Sequence, residues 1–180
     1  MIESCRRGDT DSLRALFDLY KDRVYTIALR YSGNPETAED IAQDTFVKLF
    51  AAIRTFRGES SFDSWLYRLV VNACFDQRRK ARRFMPLLDT LVNLVRAPEP
   101  LALDCMLTGE RDLQVRDAVS TLPPDQRIVV VLRYSQGFSY DEMAAILDCP
   151  VGTVASRLNR AHSILGRRLK RRLNKEQIHV

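Results

Sequence analysis

The stretch Phe138–Arg172, FSYDEMAAILDCPVGTVASRLNRAHSILGRRLKRR, reads as two helices joined by a tight corner. Ser139 is placed to cap the first helix, and Glu142 three residues later completes a capping box. Ala144, Ala145 and Leu147 are small enough for another helix to lie close. Asp148-Cys149-Pro150 breaks that helix, and Pro150 suits the first position of the next, where its missing N–H is not needed.

The second helix sorts into faces at about 100° per residue. Val151, Val154, Leu158, Ala161 and Leu165 share one face, while Thr153, Ser156, Arg160, Ser163 and Arg167 fall opposite, with Arg157 and Asn159 on the flanks. From Thr153 up to Lys175 there are seven Arg or Lys and no Asp or Glu. A helix with one apolar face and one cationic, hydrogen-bonding face, preceded by a short capped helix and a corner, fits a helix-turn-helix. The second helix would enter the DNA major groove, its N-terminal part reading base edges. A solvated basic helix on a bundle would explain the charge but not the preceding helix and corner.

The rest of the chain sets bounds on this reading. At 180 residues there is room for one large domain or two small ones. A hydrophobic share of 46% with 28% charged residues is ordinary for a soluble globular protein. The net charge of +5 is modest, but basic and acidic residues each cluster. No apolar run approaches the length of a membrane span, and the N-terminus, MIESCRRGDTDSLR, has no signal-peptide core, so a cytoplasmic protein without membrane insertion is expected. Cys5, Cys74, Cys105 and Cys149 are far apart, and His162 and His179 make no metal pattern with them; reduced packing cysteines, no metal and no cofactor are the expectation.

Upstream, Asp11–Tyr31 reads as an amphipathic helix with Leu13, Leu16, Phe17, Tyr20, Val24, Ile27, Ala28 and Tyr31 on its core face. Gly33-Asn34-Pro35 ends it, and Pro35 opens a second helix with Glu36, Glu39 and Asp40 near its positive end. Its core face is Ala38, Ile41, Ala42, Phe46, Leu49, Phe50 and Ile53. From Glu36 to Asp44 there are four acids and no base; by composition alone this run reads as a solvated face. After the loop RTFRGESS, Arg54–Ser61, a third helix starts near Phe62 with Phe62, Leu66, Leu69, Val70 and Ala73 as core. Trp65, Arg68, Asn72, Asp76 and Arg79 form a second stripe, and Arg78, Arg79, Lys80, Arg82 and Arg83 crowd the end. Rings beside cations suit single-stranded nucleic acid, the rings stacking on bases and the charges holding the backbone.

Residues 84–107 lose periodicity, and Met85-Pro86, Ala97-Pro98 and Glu99-Pro100 interrupt any helix there, although Leu87–Val95 has the make-up of one short helix. From Thr108 a stripe of Val115, Ala118, Val119 and Leu122 returns, up to Pro123-Pro124. Ile128–Leu132 is an apolar run with four β-branched residues, which propensity alone assigns to a strand. The start pair Pro124-Asp125, the stop at Gly137 and the lack of any partner strand make it a helix. The tail after Leu173 is expected to fray.

Four segments in order, AEDIAQDTFVKLF, FRGESSFDSWLYRLVVNACFDQRRKARR, LPPDQRIVVVLRYSQGFSYDEMAAIL and CPVGTVASRLNRAH, resemble the bacterial RNA polymerase sigma factors of the extracytoplasmic-function type. The resemblance covers nearly everything except the linker and the ends. It implies an all-α fold of two small helical domains joined by a linker: a sigma-2-like bundle over 8–84, a linker over 85–107 and a sigma-4-like helix-turn-helix domain over 108–175. It further implies that Asp40, Gln43 and Asp44 dock on the clamp helices of the polymerase β′ subunit, and that core RNA polymerase is also met at the β flap. Phe56, Trp65, Arg68, Asn72, Arg78 and Arg79 would hold the melted −10 element of promoter DNA. Thr153, Ser156, Arg157, Asn159 and Arg160 would read the −35 duplex. An anti-sigma protein is the implied restraining partner. Ala155 departs from the pattern, standing where relatives often carry Lys or Arg. A stand-alone helix-turn-helix regulator would need neither the acidic helix nor the Phe56–Arg83 segment, and an enzyme with a DNA-binding tail would need a catalytic constellation that residues 1–83 do not offer.

Overall fold

The computed structural model describes residues 1–88 and 110–177. Among the described residues the regular structure is entirely helical, with no strand. Eight α-helices follow in order: α1 (Ile2–Arg6), α2 (Thr10–Ser32), α3 (Pro35–Ala52), α4 (Phe62–Leu88), α5 (Glu110–Ser120), α6 (Pro124–Gln136), α7 (Tyr140–Leu147) and α8 (Val151–Gln177), with a 3₁₀ turn at Ile53–Thr55. The chain is an all-α protein of two helical modules, α1–α4 and α5–α8.

Local chemistry explains the boundaries. Asp9 caps α2 by accepting from the Ser12 N–H at 3.1 Å, and Gly33 ends it in the left-handed region at φ 73°. Asn34 caps α3 at 2.9 Å through the Thr37 N–H, with Pro35 following. In the first module α2, α3 and α4 pack together and bury Leu16, Val24, Ile27, Ile41, Leu49, Leu66 and Val70. A fully buried side chain of this kind contributes about 1.5–3 kcal/mol relative to exposure. The residues of Ile128–Leu132 are buried on every side, between 0 and 7% exposed, in α6, which packs against α2, α7 and α8. Burial from all directions explains an apolar run too dense for one amphipathic face.

Several expectations need correction. α4 continues through Pro86 to Leu88, where an interruption at Met85-Pro86 was expected. Proline removes one backbone donor and leaves the rest of the hydrogen-bond ladder in place. The rest of the short helix expected over Leu87–Val95 lies outside the described residues. α8 likewise continues to Gln177, where a frayed tail was expected. Phe17 (37%), Phe50 (38%), Val115 (46%) and Val151 (40%) are exposed, although the helical stripes assigned them to the core. Each is covered on one side only: Phe17 packs edge-on against Phe46 of α3 at 4.7 Å yet keeps an open face. Conversely Tyr67, Val71 and Cys74 of α4 are buried outside the expected stripe. The reason is that α4 packs on α3 and α2 along one side and on α7 of the other module along another.

Candidate nucleic-acid interface

The helix-turn-helix is assembled from α7 and α8. Ser139 accepts from the Glu142 N–H at 3.2 Å while the Glu142 carboxylate accepts from the Ser139 N–H at 2.7 Å, which completes the capping box. Those bonds hold the Glu142 carboxyl below its usual range. Asp148 turns the corner in the left-handed region at φ 50°. Pro150 stands just before α8 rather than at its first position, and its carbonyl accepts from the Thr153 N–H at 2.8 Å. Val154, Leu158 and Ala161 seat α8 on the core.

The outward face of α8 divides the five residues expected to read duplex DNA. Asn159 and Arg160 are exposed and, with Gln126, Ser163, Ile164 and Arg167, line a shallow depression. Thr153 and Ser156 are half-buried, and the Ser156 hydroxyl donates back to the Thr153 carbonyl at 2.9 Å. Arg157 is turned onto the protein. Its Nη2 lies 3.6 Å from the Asp125 carboxylate and its Nη1 lies 4.0 Å from Cys149 Sγ, with 27% of the side chain exposed. It braces the recognition helix against the start of α6. Ala155 is half-buried.

On the first module the loop after the 3₁₀ turn delivers Phe56 to the start of α4. Phe56, Phe62 and Trp65 form a cluster with ring centroids 5.0 Å (Phe56–Trp65), 5.7 Å (Phe56–Phe62) and 5.7 Å (Phe62–Trp65) apart, all three half-buried. Tyr20 extends it from α2, 5.7 Å from Phe62, and its hydroxyl donates to Asp63. Burial and then the Asp63 carboxylate push the Tyr20 phenol well above its ordinary range, so it stays a neutral donor. Ser61 caps α4 through the Ser64 N–H at 3.1 Å, and this fixes Trp65 one turn on. The sequence pattern missed Tyr20 and assigned Phe62 to the core; its spacing of three from Trp65 was the available signal. Asn72 and Arg78 are exposed farther along α4. From Trp65 to Arg78 the surface runs for about 20 Å at 1.5 Å per residue. Arg79 is engaged by Asp76. Arg68 does not face solvent freely: its Nη2 donates to the Ala145 carbonyl of α7 at 2.6 Å.

Two of the four acidic residues of α3, Asp40 and Asp44, already have partners within the chain. Lys80 of α4 lies 3.3 Å from Asp44, and Gln77 donates to Asp40 at 3.3 Å. Lys48 and Asp76 pair at 3.0 Å beside them. Burial raises the Asp76 carboxyl, but the Lys48 and Arg79 partners outweigh it and leave it below its usual range. Gln43 is exposed, and Val47, 62% exposed, continues the row of Asp40, Gln43 and Asp44 along α3. Among the described residues no cluster of His, Cys, Asp and Glu could hold a metal ion, and no helix is long and apolar enough to cross a membrane.

Comparison with known proteins agrees with this geometry. The family model for Sigma-70 region 2 matches residues 16–84, and that for Sigma-70, region 4 matches residues 112–163. The chain is 32% identical over 178 residues to the ECF RNA polymerase sigma factor SigW of Bacillus subtilis, covering 94% of this chain and 95% of that one. It is 32% identical over 182 residues to the ECF RNA polymerase sigma-E factor of Haemophilus influenzae, covering 94% of each. Among solved structures it is similar to the sigma factor RpoE in complex with the anti-sigma factor NepR from Bartonella quintana, with a TM-score of 0.72 and 28% identity over 89% of this chain and 98% of that chain. CnrH in complex with the cytosolic domain of CnrY shares the fold, with a TM-score of 0.69 at 23% identity over 94% of each. With both regions in order and relatives matched along nearly their whole length, the chain belongs to the extracytoplasmic-function (ECF) family of RNA polymerase sigma factors.

Proposed function

We propose that this transcription initiation factor divides promoter recognition between its modules, with domain limits of 8–84 and 108–175 and a linker between. The exposed Asn159 and Arg160, with Thr153 and Ser156, read the −35 duplex; an arginine bonds a guanine edge in two places. The Phe56–Phe62–Trp65 cluster, with Asn72 and the cations Arg78 and Arg79, captures the melted −10 strand. Unstacking a base costs a few kcal/mol, which ring stacking and backbone contacts offset. Asp40, Gln43 and Asp44 dock on the β′ clamp helices of core polymerase in the cytoplasm. Two DNA-binding modules on one tether gain avidity when both elements lie at matching spacing. The protein performs no catalysis of its own, and an anti-sigma protein is its restraining partner, a reading supported by the structure of the similar sigma factor RpoE in complex with the anti-sigma factor NepR.

The observation that carries this reading is the aromatic cluster beside exposed cations on α4, on the same chain as a capped helix-turn-helix. A stand-alone regulator has no use for that cluster. Transcription in vitro with core RNA polymerase on a genomic library, with start sites mapped, tests it. Start sites sharing two spaced elements are expected. Duplex binding without any polymerase-dependent transcript would leave the stand-alone regulator instead.

A further inference from the structure

The depression between the start of α6 and the middle of α8 holds more than the duplex-reading residues require. Besides Asn159 and Arg160 it is lined by Gln126, Ser163, Ile164 and Arg167. Among these residues the two arginines carry the only charges, and no Asp or Glu joins them. Asp125, next to Gln126 in the chain, is turned to Arg157 at 3.6 Å.

Arg167 is tethered at its stem and open at its tip. Its Nε donates to the Ser163 carbonyl at 3.2 Å, while Ser163 Oγ donates to the Asn159 carbonyl at 3.0 Å. Arg167 itself is exposed, which leaves its two terminal nitrogens to solvent. Gln126 is half-buried, and its Oε1 is buried with no hydrogen-bond partner. With the acceptor turned inward, the amide NH2 is the end left for the depression. An amide held with its acceptor unsatisfied is poorly explained by stability alone. Arg160, Arg167 and Gln126 thus offer N–H donors, and Gln126 does so from the first turn of the 13-residue helix α6, its positive end. Such a set suits an anion.

Helix length says which anion. Arg160 and Arg167 lie seven residues apart, two turns along one face and about 10.5 Å along the axis. The N-terminal part of a recognition helix meets the bases. In a major groove about 12 Å wide, a side chain that much farther along meets the backbone at the rim instead of a second base edge.

We propose that the depression is a seat for one backbone phosphate of the −35 duplex, gripped by Arg167 and by the Gln126 amide from a helix outside the helix-turn-helix. This rests on the assignment of α8 to the −35 element. Arg160 reads a base; Arg167 and Gln126 are positioning residues that fix how α8 lies in the groove and carry no sequence preference of their own.

The test uses the holoenzyme, the full chain on core RNA polymerase, with a fluorescent promoter duplex taken from its mapped start sites and salt varied. Arg167→Gln should weaken binding roughly tenfold at low salt, to the same extent for single-base variants of the −35 element. It should also lower the slope of log affinity against log salt by about 0.9. Arg167→Lys should restore most of that slope. Gln126→Leu, similar in size but without donors, should weaken binding about threefold or more and leave the slope unchanged. Circular dichroism checks folding; should Gln126→Leu lose helix, Gln126→Glu replaces it and, by putting an acid in the seat, should weaken binding further. Neutral methylphosphonates placed one at a time along the element locate the seat: one of them should weaken the wild type yet leave Arg167→Gln unaffected. Unchanged affinity in Arg167→Gln or Gln126→Leu, a preference altered at one base only, or no phosphate silent in Arg167→Gln would each overturn the seat. If Arg160→Ala relaxed one base while Arg167→Gln changed nothing, the seat alone would fall. A wild type without polymerase-dependent start sites would remove the −35 reading and the seat with it.

Discussion

Reversing Asp40 and Asp44 to lysine together separates polymerase docking from packing of α3 on α4. In the folded chain Asp44 and Lys80 are 42% and 60% exposed and 3.3 Å apart, and Asp40 accepts from Gln77 at 3.3 Å. An exposed ion pair contributes about 0–1 kcal/mol, and the Gln77 bond about as much. A lysine at position 44 would also face Lys80 and Lys48. The summed loss is about 1–2 kcal/mol, which at roughly 2–4 °C per kcal/mol lowers the melting temperature by about 2–8 °C and leaves the helical signal intact. Asp40→Asn with Asp44→Asn keeps the shapes and should stay within the lower half of that range. Association with core RNA polymerase, followed by stopped flow, should fall far more. The lysine pair should slow it about tenfold or more at low salt, and the asparagine pair less. At 1 M salt, where the screening length is about 3 Å, the variants should converge on wild type. If the lysine pair associated as fast as wild type at low salt while melting earlier, the two acids would serve only the α3–α4 contact and the docking assignment would be wrong.

Arg160→Ala should cost about 1–3 kcal/mol and relax preference at one base of the −35 element, measured by binding to single-base variants of a mapped promoter; Ser163→Ala, whose hydroxyl is bonded to the Asn159 carbonyl, should change little, and equal effects would refute the docking orientation. Trp65→Ala should weaken single-strand binding by about 1–3 kcal/mol while duplex binding through α8 is unchanged, read by fluorescence anisotropy on both probes. Ser139→Ala removes a cap and half of the capping box, so thermal denaturation should show a loss of about 0.5–2 kcal/mol. Burial pushes the Cys74 thiol up to about 12, so it should resist a thiol-specific disulfide reagent at pH 8 until the chain unfolds, whereas the half-buried Cys149 should react in the native protein.

Local patterns were enough to read the helix-turn-helix. A cap, a break and a two-faced helix are short-range features, and Ser139, Asp148 and Val154–Leu158–Ala161 sit where those patterns require. The helical state of Ile128–Leu132 was likewise legible from its flanking Pro124 and Gly137, against its β-branched propensity. Phe56 and Trp65 could be placed near one another because the loop between their elements is short. Periodicity was less dependable at stripe margins: Phe17, Phe50, Val115 and Val151 all fit a core face yet remain more than a third exposed.

What the chain's order of residues could not reveal is which side chains are already occupied. Arg157 looks like a DNA reader on a helical wheel, but Asp125, 32 positions earlier by number, draws it onto the protein. Asp44 looks unpartnered along α3 until α4 brings Lys80 alongside. Tyr67 and Arg68 share the helix that carries the −10 surface, yet both are engaged by the other module. Capping and amphipathicity act between residues a few positions apart, so the sequence by itself determines the helices, their caps and their two-faced character. Ion pairs and interhelical contacts join residues far apart in the chain, and only the packing of α4 against α3 and α7, and of α6 against α2, decides which charges face outward.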